Sequence, residues 1–157
     1  MGTRDYRCFI TKKPCYDIVF QQSFDGLWEE LAELGAADKR LCIVTDSTVD
    51  GLYAAQILKF LEGKCRKAVK YVFPAGEEHK NLDTVRDVYR FLIEEGFDRK
   101  DMLLALGGGV CGDLTGFVAA TYLRGIDFVQ IPTTLLHRQT ALLAVRQVWI
   151  LTAIRTW

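Results

Sequence analysis

The chain has 157 residues, 50% of them hydrophobic and 25% charged, and its 20 Lys and Arg balance 20 Asp and Glu to a formal net charge of zero. That length suits one domain with a real core, and the even charge balance leaves no footprint for nucleic acid or an anionic membrane surface. No apolar run approaches a membrane span, and the N-terminal MGTRDYRCF lacks the apolar core of a signal peptide.

Residues 16–20 (YDIVF) read as a first strand, with the stretch around Phe9 as its candidate partner in an edge hairpin. Ser23 is a candidate N-cap for a helix over 24–34, and Gly35 is its stop. Residues 40–45 (RLCIVT) form a continuous apolar run of the kind a parallel sheet buries on both faces, followed at once by Asp46. A helix is expected over 52–61 (LYAAQILKFL), ended by Gly63. A third strand over 68–73 (AVKYVF) closes at Pro74 and opens into the loop 75–80 (AGEEHK). Asn81 or Asp83 can cap the next helix, whose inner face carries Val85, Val88, Tyr89 and Leu92 and which Gly96 ends.

The most informative stretch follows. Residues 102–106 (MLLAL) read as a buried strand, Gly107, Gly108 and Gly109 as a turn, and VCGDLTGFVAATYL as a helix apolar nearly all round and therefore buried; residues 128–131 then read as another strand, stopped by Pro132. Strand, glycine turn, helix, strand is a βαβ unit, so the expected class is α/β with a mostly parallel sheet and helices on both faces. A glycine turn at a helix start lets backbone N–H groups and the positive dipole end approach a diphosphate. Gly107, Gly109 and Gly112 also satisfy G-x-G-x-x-G, a weak pattern by itself. Ligands of such sheets bind beyond the carboxyl ends of the strands, where Asp46, the loop 75–80, the glycine turn, Thr133 and Thr134 are all expected to meet.

Taken singly, these residues leave two readings open. Asp46 can accept hydrogen bonds from a ribose or cap a helix. Glu77 and Lys80 can grip a nucleotide or belong to a solvated loop, and Asp113 can orient a ligand hydroxyl or sit in a helix first turn for the dipole alone. Arg124 can anchor a phosphate with its fork of donors or lie at the surface, and Thr133 and Thr134 can bond a ligand or cap a helix. The five cysteines include no C-x-x-C pair, which is reduced, cytosolic usage, and Cys42 and Cys111 inside apolar runs read as small core residues. His79 and His137 are far apart and have no cluster of cysteines or carboxylates around them, so no complete metal site is expected.

Together, VTDS, PAGEEHK, LGGGVCGDLTGFVAATYLRG and QIPTTLL resemble the 3-dehydroquinate synthase family over roughly residues 16–136. The wider superfamily holds 2-deoxy-scyllo-inosose synthases and other sugar-phosphate cyclases, while glycerol and iron-dependent alcohol dehydrogenases share the fold. The resemblance implies the Rossmann-like N-terminal lobe of that fold. It also implies a cytosolic enzyme of the shikimate pathway that converts 3-deoxy-D-arabino-heptulosonate 7-phosphate to 3-dehydroquinate and phosphate, with NAD⁺ as a catalytic cofactor and zinc or cobalt as the metal. By position, Asp46, Ala75, Gly76, Glu77, Glu78, His79, Lys80, Gly108, Gly109, Val110, Cys111, Gly112, Asp113, Thr133 and Thr134 match the family's NAD⁺ contacts. Arg124 matches a contact to the substrate phosphate that a neighbouring subunit of a homodimer provides.

After Leu136 the chain departs from the family, which continues there with a stretch like ASADSSVGGKTGVDF and later supplies its metal ligands, one glutamate and two histidines. Residues 137–157 (HRQTALLAVRQVWILTAIRTW) read instead as an aberrant tail, helical or disordered. One reading is a genuine amphipathic helix. The other is a shift of reading frame: a set of codons for the tail, entered one base early from a CTG codon at Leu136, spells ASADSSVGGKTGVDFDSYKNM. On either reading the expectation is a nucleotide-binding lobe, residues 1–136, without catalytic residues or metal ligands of its own. The alternatives kept open are a non-catalytic nucleotide-binding module and a related cyclase or metal-dependent dehydrogenase.

Overall fold

Residues 41–45 and 102–106 are apolar at every position but one, Thr45, so strands built from them must be covered on both faces. The computed structural model describes residues 3–10, 13–20, 23–133 and 148–151, with side chains described for Val19 and residues 23–133. It opens with strands β1 (Thr3–Ile10) and β2 (Lys13–Phe20), helix α1 (Leu27–Glu33) and strand β3 (Arg40–Asp46). Helical segments α2 (Ser47–Val49) and α3 (Ala55–Leu61) follow, joined through a π-helical stretch, Asp50–Ala54. The rest is β4 (Lys67–Phe73), α4 (Leu82–Glu94), β5 (Met102–Gly107), α5 (Gly109–Thr121), β6 (Asp127–Pro132) and β7 (Val148–Leu151).

The strands lie in the order β1-β2-β7-β6-β5-β3-β4. The block β6-β5-β3-β4 is parallel throughout, and β1, β2 and β7 join its β6 side in antiparallel pairings. As the sequence leads one to expect, β5 sits inside the sheet and β1 with β2 forms an edge hairpin. Alternation along the strands sorts side chains to two faces. Leu41, Ile43, Leu104, Leu106, Val129 and Ile131 pack with Leu27 and Leu31 of α1 and Ile57 and Leu61 of α3. Cys42, Val44, Leu103, Ala105 and Phe128 pack with Val88 and Leu92 of α4 and Leu114 and Val118 of α5. Each fully buried aliphatic side chain contributes about 1.5–3 kcal/mol, so the strands are anchored from both sides.

Several local expectations are corrected. Ser23 does not cap α1: its Oγ donates to Asp25 Oδ2 (2.7 Å), and the helix starts at Leu27 with no side-chain cap. A short polar turn takes the serine hydroxyl before the helix can use it. Helical backbone begins at Ser47, five residues ahead of the expected start, because Asp46 caps it and the π-helical stretch absorbs Gly51. The helix α5 is not buried all round. Cys111, Leu114, Thr115 and Val118 are buried, but Phe117 is 48% exposed, since α5 covers one face of the sheet and no described element covers its outer side. In the tail, Val148–Leu151 is a strand, antiparallel to β2, where helix or disorder was expected; the tail's other residues lie outside the described ones.

The amino ends of β3 and β5 are tied by Asp101, 2% exposed, which accepts from Arg40 N (2.7 Å), Asp98 N (2.8 Å) and Arg40 Nη1 (3.2 Å). That tie lies at the sheet edge opposite the carboxyl ends. In the π-helical stretch, a Cβ added to Gly51 would meet no atom within 4 Å. Gly51→Ala is therefore expected to stabilise the chain by about 0.5–1 kcal/mol, mainly by restricting the unfolded state. A lowered urea midpoint would contradict this.

Candidate functional site

The site is built where β3, β4, β5 and β6 end together. At the end of β3, Asp46 turns its carboxylate back on the following helix: Oδ1 accepts from Thr48 N (2.9 Å) and Val49 N (3.0 Å). The capping reading of Asp46 is thus correct. The same carboxylate also faces the glycine turn, because a Cβ placed on Gly107 would stand 3.5 Å from Asp46 Oδ2. One oxygen serves the fold, and the other reaches the turn.

After β4, the loop 75–80 is held on a left-handed glycine. Gly76 has φ +131°, and the Glu78 carboxylate folds over the space a side chain there would need. Glu77–His79 form one 3₁₀ turn, with Lys80 N donating to Glu77 O (3.0 Å). Ser47 Oγ accepts from Ala75 N (3.1 Å), which fastens the loop to the segment after β3. The sequence places Ser47 beside Asp46 at the end of the strand but assigns it no role; a hydroxyl directly after a capping aspartate was the available signal. Asn81 is the cap of α4, accepting from Thr84 N (2.9 Å) and donating to Glu78 O (2.8 Å). Of the charged side chains, Glu78 lies near His79 (3.8 Å), whereas Lys80 Nζ crosses to Asp113 Oδ2 on α5 (2.7 Å). The Asp113 hydrogen bond and charge hold the Lys80 ammonium above its usual range, so it stays charged at neutral pH.

Beyond β5, Gly108 is the extended N-cap of α5 and has no side chain to cap it; Gly112 N donates to Gly108 O (2.9 Å) as the first helical bond. The amides of Gly109, Val110 and Cys111 precede that bond and have no carbonyl of their own helix to reach. The turn is locked from beneath by Cys111, whose Sγ donates toward Val44 O (3.1 Å) and Leu106 O (3.4 Å). Burial pushes this thiol up to about 12, so Cys111 is a packed, neutral core group and not a nucleophile. Thr133 completes the rim: its N donates to Gly107 O (3.0 Å), and its Oγ1 is buried with no hydrogen-bond partner among the described residues. Thr134 lies outside the described residues.

The predicted convergence therefore exists for Asp46, residues 75–80, Gly108–Asp113 and Thr133. It does not include Arg124. That residue follows α5 at the amino end of β6, on the opposite edge of the sheet, in a turn where Leu123 (φ +49°) and Arg124 (φ +69°) both take left-handed backbone. Two such residues cost of order 1–3 kcal/mol each. Beside the site, an open groove of about 290 Å³ runs from Lys80 and Asp113 over Leu82, Val85, Leu114 and Phe117.

These residues suit an anionic dinucleotide on physical grounds. The glycine turn lets backbone come close to a ligand, the first amides of α5 lie at that turn, and Lys80 and the Thr133 hydroxyl stand beside it. They do not suit a metal. Among the described residues no group of three or more His, Cys, Asp or Glu side chains is placed to hold one.

Comparison with known proteins agrees. The family model described as 3-dehydroquinate synthase N-terminal matches residues 70–145. The 3-dehydroquinate synthase of Acetivibrio thermocellus is 54% identical over 97 residues, which are 62% of this chain and 27% of that protein. That of Streptococcus suis is 46% identical over 126 residues, 76% of this chain and 34% of the relative.

Over its matched stretch the chain belongs to the 3-dehydroquinate synthase family.

The lobe also resembles solved sugar-phosphate cyclases. A 2-epi-5-epi-valiolone synthase from Streptomyces hygroscopicus, solved with NAD⁺ and Zn²⁺ bound, matches with a TM-score of 0.66 at 35% identity, over 83% of this chain and 36% of that one. A 2-deoxy-scyllo-inosose synthase, solved with carbaglucose-6-phosphate, NAD⁺ and Co²⁺, matches with a TM-score of 0.65 at 26% identity, over 77% of this chain and 33% of that one. The chain spans about a third of the length of the curated relatives it matches, 27–35%. Among the described residues no helix is long and apolar enough to cross a membrane.

Proposed function

We propose that this chain is the NAD⁺-binding lobe of a 3-dehydroquinate synthase. The observation that carries the reading is the meeting of Asp46, Lys80, the Gly107–Gly109 turn and Thr133 at the carboxyl edge of one parallel sheet. The helix-start amides of Gly109 to Cys111 would take the diphosphate, Asp46 a ribose hydroxyl, and Thr133 with Thr134 the remaining polar groups; Lys80 would add positive charge. When bound, NAD⁺ supplies a hydride acceptor. What this chain's residues do is orient it, with the buried, neutral Cys111 beneath the glycine turn.

For the whole protein the proposed reaction is the conversion of 3-deoxy-D-arabino-heptulosonate 7-phosphate to 3-dehydroquinate and phosphate, in the cytosol, with no nucleic acid or membrane partner. The zinc or cobalt of the family would be held by residues other than those described here. Arg124, on the far edge, can serve a substrate phosphate only in a neighbouring copy, which favours a homodimer. A sister cyclase activity is the second reading. The higher identity to dehydroquinate synthases, 45–54% against 26% and 35% for the two solved cyclases named above, favours the first.

Calorimetric titration of the 157-residue chain with NAD⁺ tests this. Binding is expected, and Gly109→Val should weaken it by about tenfold or more, because a branched side chain would occupy the diphosphate's approach. Equal affinity of the two proteins would sink the assignment. The same chain is expected to release no phosphate from the heptulosonate with NAD⁺ and zinc present; steady turnover would overturn that. We further propose that residues 137–157 are read in a shifted frame. A gene sequence without an extra or missing base near codon 136 would refute it.

A further inference from the structure

Among the described residues, β2 meets the parallel block of the sheet only across β7, which lies between β2 and β6 and runs antiparallel to both. Asp17, Ile18, Val19 and Phe20 pair with Leu151, Ile150, Trp149 and Val148, and Gln130 of β6 pairs with Ile150 from the other side. A strand in that place is held by backbone groups along both edges, and those groups are the same in every residue except proline. The gap is also flanked by apolar side chains. Val19 on one side and Val129 and Ile131 on the other belong to one core cluster with α1 and α3, and none is more than 1% exposed. The register aligns position 149 with Val19 and, across the gap, with Ile131. An open gap would uncover those side chains and leave two rows of backbone N–H and C=O groups unpaired.

The link from β6 does not dictate where β7 sits. Antiparallel neighbours are commonly joined by about two to five residues, whereas residues 133–147 separate these two strands. β7 therefore enters the sheet as a tethered segment and not as the second arm of a tight hairpin.

We propose that the gap between β2 and β6 is a strand-accepting site and that β7 is its tethered ligand. The site takes one extended segment, antiparallel to both edges, with an apolar residue at the position aligned with Val19 and Ile131. Docking of the hairpin β1–β2 depends on that segment. The site stands apart from the glycine turn and owes nothing to the dinucleotide reading.

Ile150→Pro in the 157-residue chain tests this, because position 150 pairs on both sides. Amide hydrogen exchange of residues 17–20 should quicken about tenfold or more, while residues 41–45 and 102–106 keep their protection. A synthetic peptide of residues 146–153 (RQVWILTA), added in excess, should restore protection to residues 17–20 of that variant. The same peptide carrying Ile150→Pro, or Trp149→Asp, should not. The unaltered chain, with its gap filled, should bind the labelled peptide at least about tenfold more weakly than the variant does. Unchanged exchange of residues 17–20 in the variant overturns the proposal. So does loss of protection throughout the parallel strands, which would make β7 part of one indivisible fold. Failure of the unaltered peptide to restore protection, rescue by either altered peptide, or equal binding to both chains overturns it as well.

Discussion

Gly107→Ala is expected to destabilise the chain by about 1–3 kcal/mol and to abolish NAD⁺ binding, although it adds one methyl group. The added Cβ would stand 2.7 Å from Cys111 Cβ and 3.2 Å from its Sγ, closer than packed carbon atoms come. Neither side has room to yield. Gly107 lies in the buried strand β5 and its carbonyl accepts from Thr133 N, while Cys111 is fully buried and bonds toward Val44 O and Leu106 O. Relief would require the first turn of α5 to lift, carrying away the amides proposed to hold the diphosphate. The check is a double-mutant cycle in urea. Cys111→Gly removes the opposing Cβ, so the double variant should lose less than the sum of the two single changes. Strict additivity would show that the two positions do not collide.

The second large effect is alkaline. Cys42 and Cys111 are both fully buried, and burial pushes both thiols up from an ordinary value of 9.0, Cys111 to about 12. Above pH 9 the unfolded chain releases these protons and the folded chain keeps them. Stability therefore holds below pH 9 and falls between pH 9 and about 12, by about 1.4 kcal/mol per pH unit for each thiol. Urea midpoints measured from pH 7 to 10 should be level to about 9 and then drop. The drop should shrink in Cys42→Ala with Cys111→Ala, relative to the midpoint of that variant at pH 7. A level profile in the parent chain would remove the claim that these thiols are buried and neutral. Both should also resist thiol reagents until the chain unfolds.

The two readings left open for Asp46 turn out not to compete. A carboxylate has two oxygens with several lone pairs, and here Oδ1 takes the helix-start amides while Oδ2 faces the glycine turn. A cap fixes the rotamer, which is what a ligand-facing carboxylate needs. Arg124 shows the reverse case. It stands outside the expected convergence, since α5 carries the chain back across the sheet and leaves Arg124 at the other edge, on strained backbone. Within one copy, Arg124 and the glycine turn lie at opposite ends of the parallel strands.

What the sequence determined by itself was the class of fold, the meeting of the loops after its parallel strands at one edge, and the resemblance to one family. Continuous apolar runs in residues 40–45 and 102–106 admit few structures other than buried parallel strands, and glycines between a strand and a helix start suit a bound anion. These are local and periodic signals, carried by neighbours in the chain. The tertiary structure decided everything that depends on residues far apart in sequence. Lys80 meets Asp113 across 33 residues and Thr133 N reaches Gly107 O across the β5–β6 crossover, and neither contact has a sequence pattern. It also decided that Gly107 is constrained by packing, since only the fold puts Cys111 against it. The outer face of α5 was read as buried because its composition is apolar all round. Composition reports what a helix can bury, and only the elements packed around it settle which side is covered.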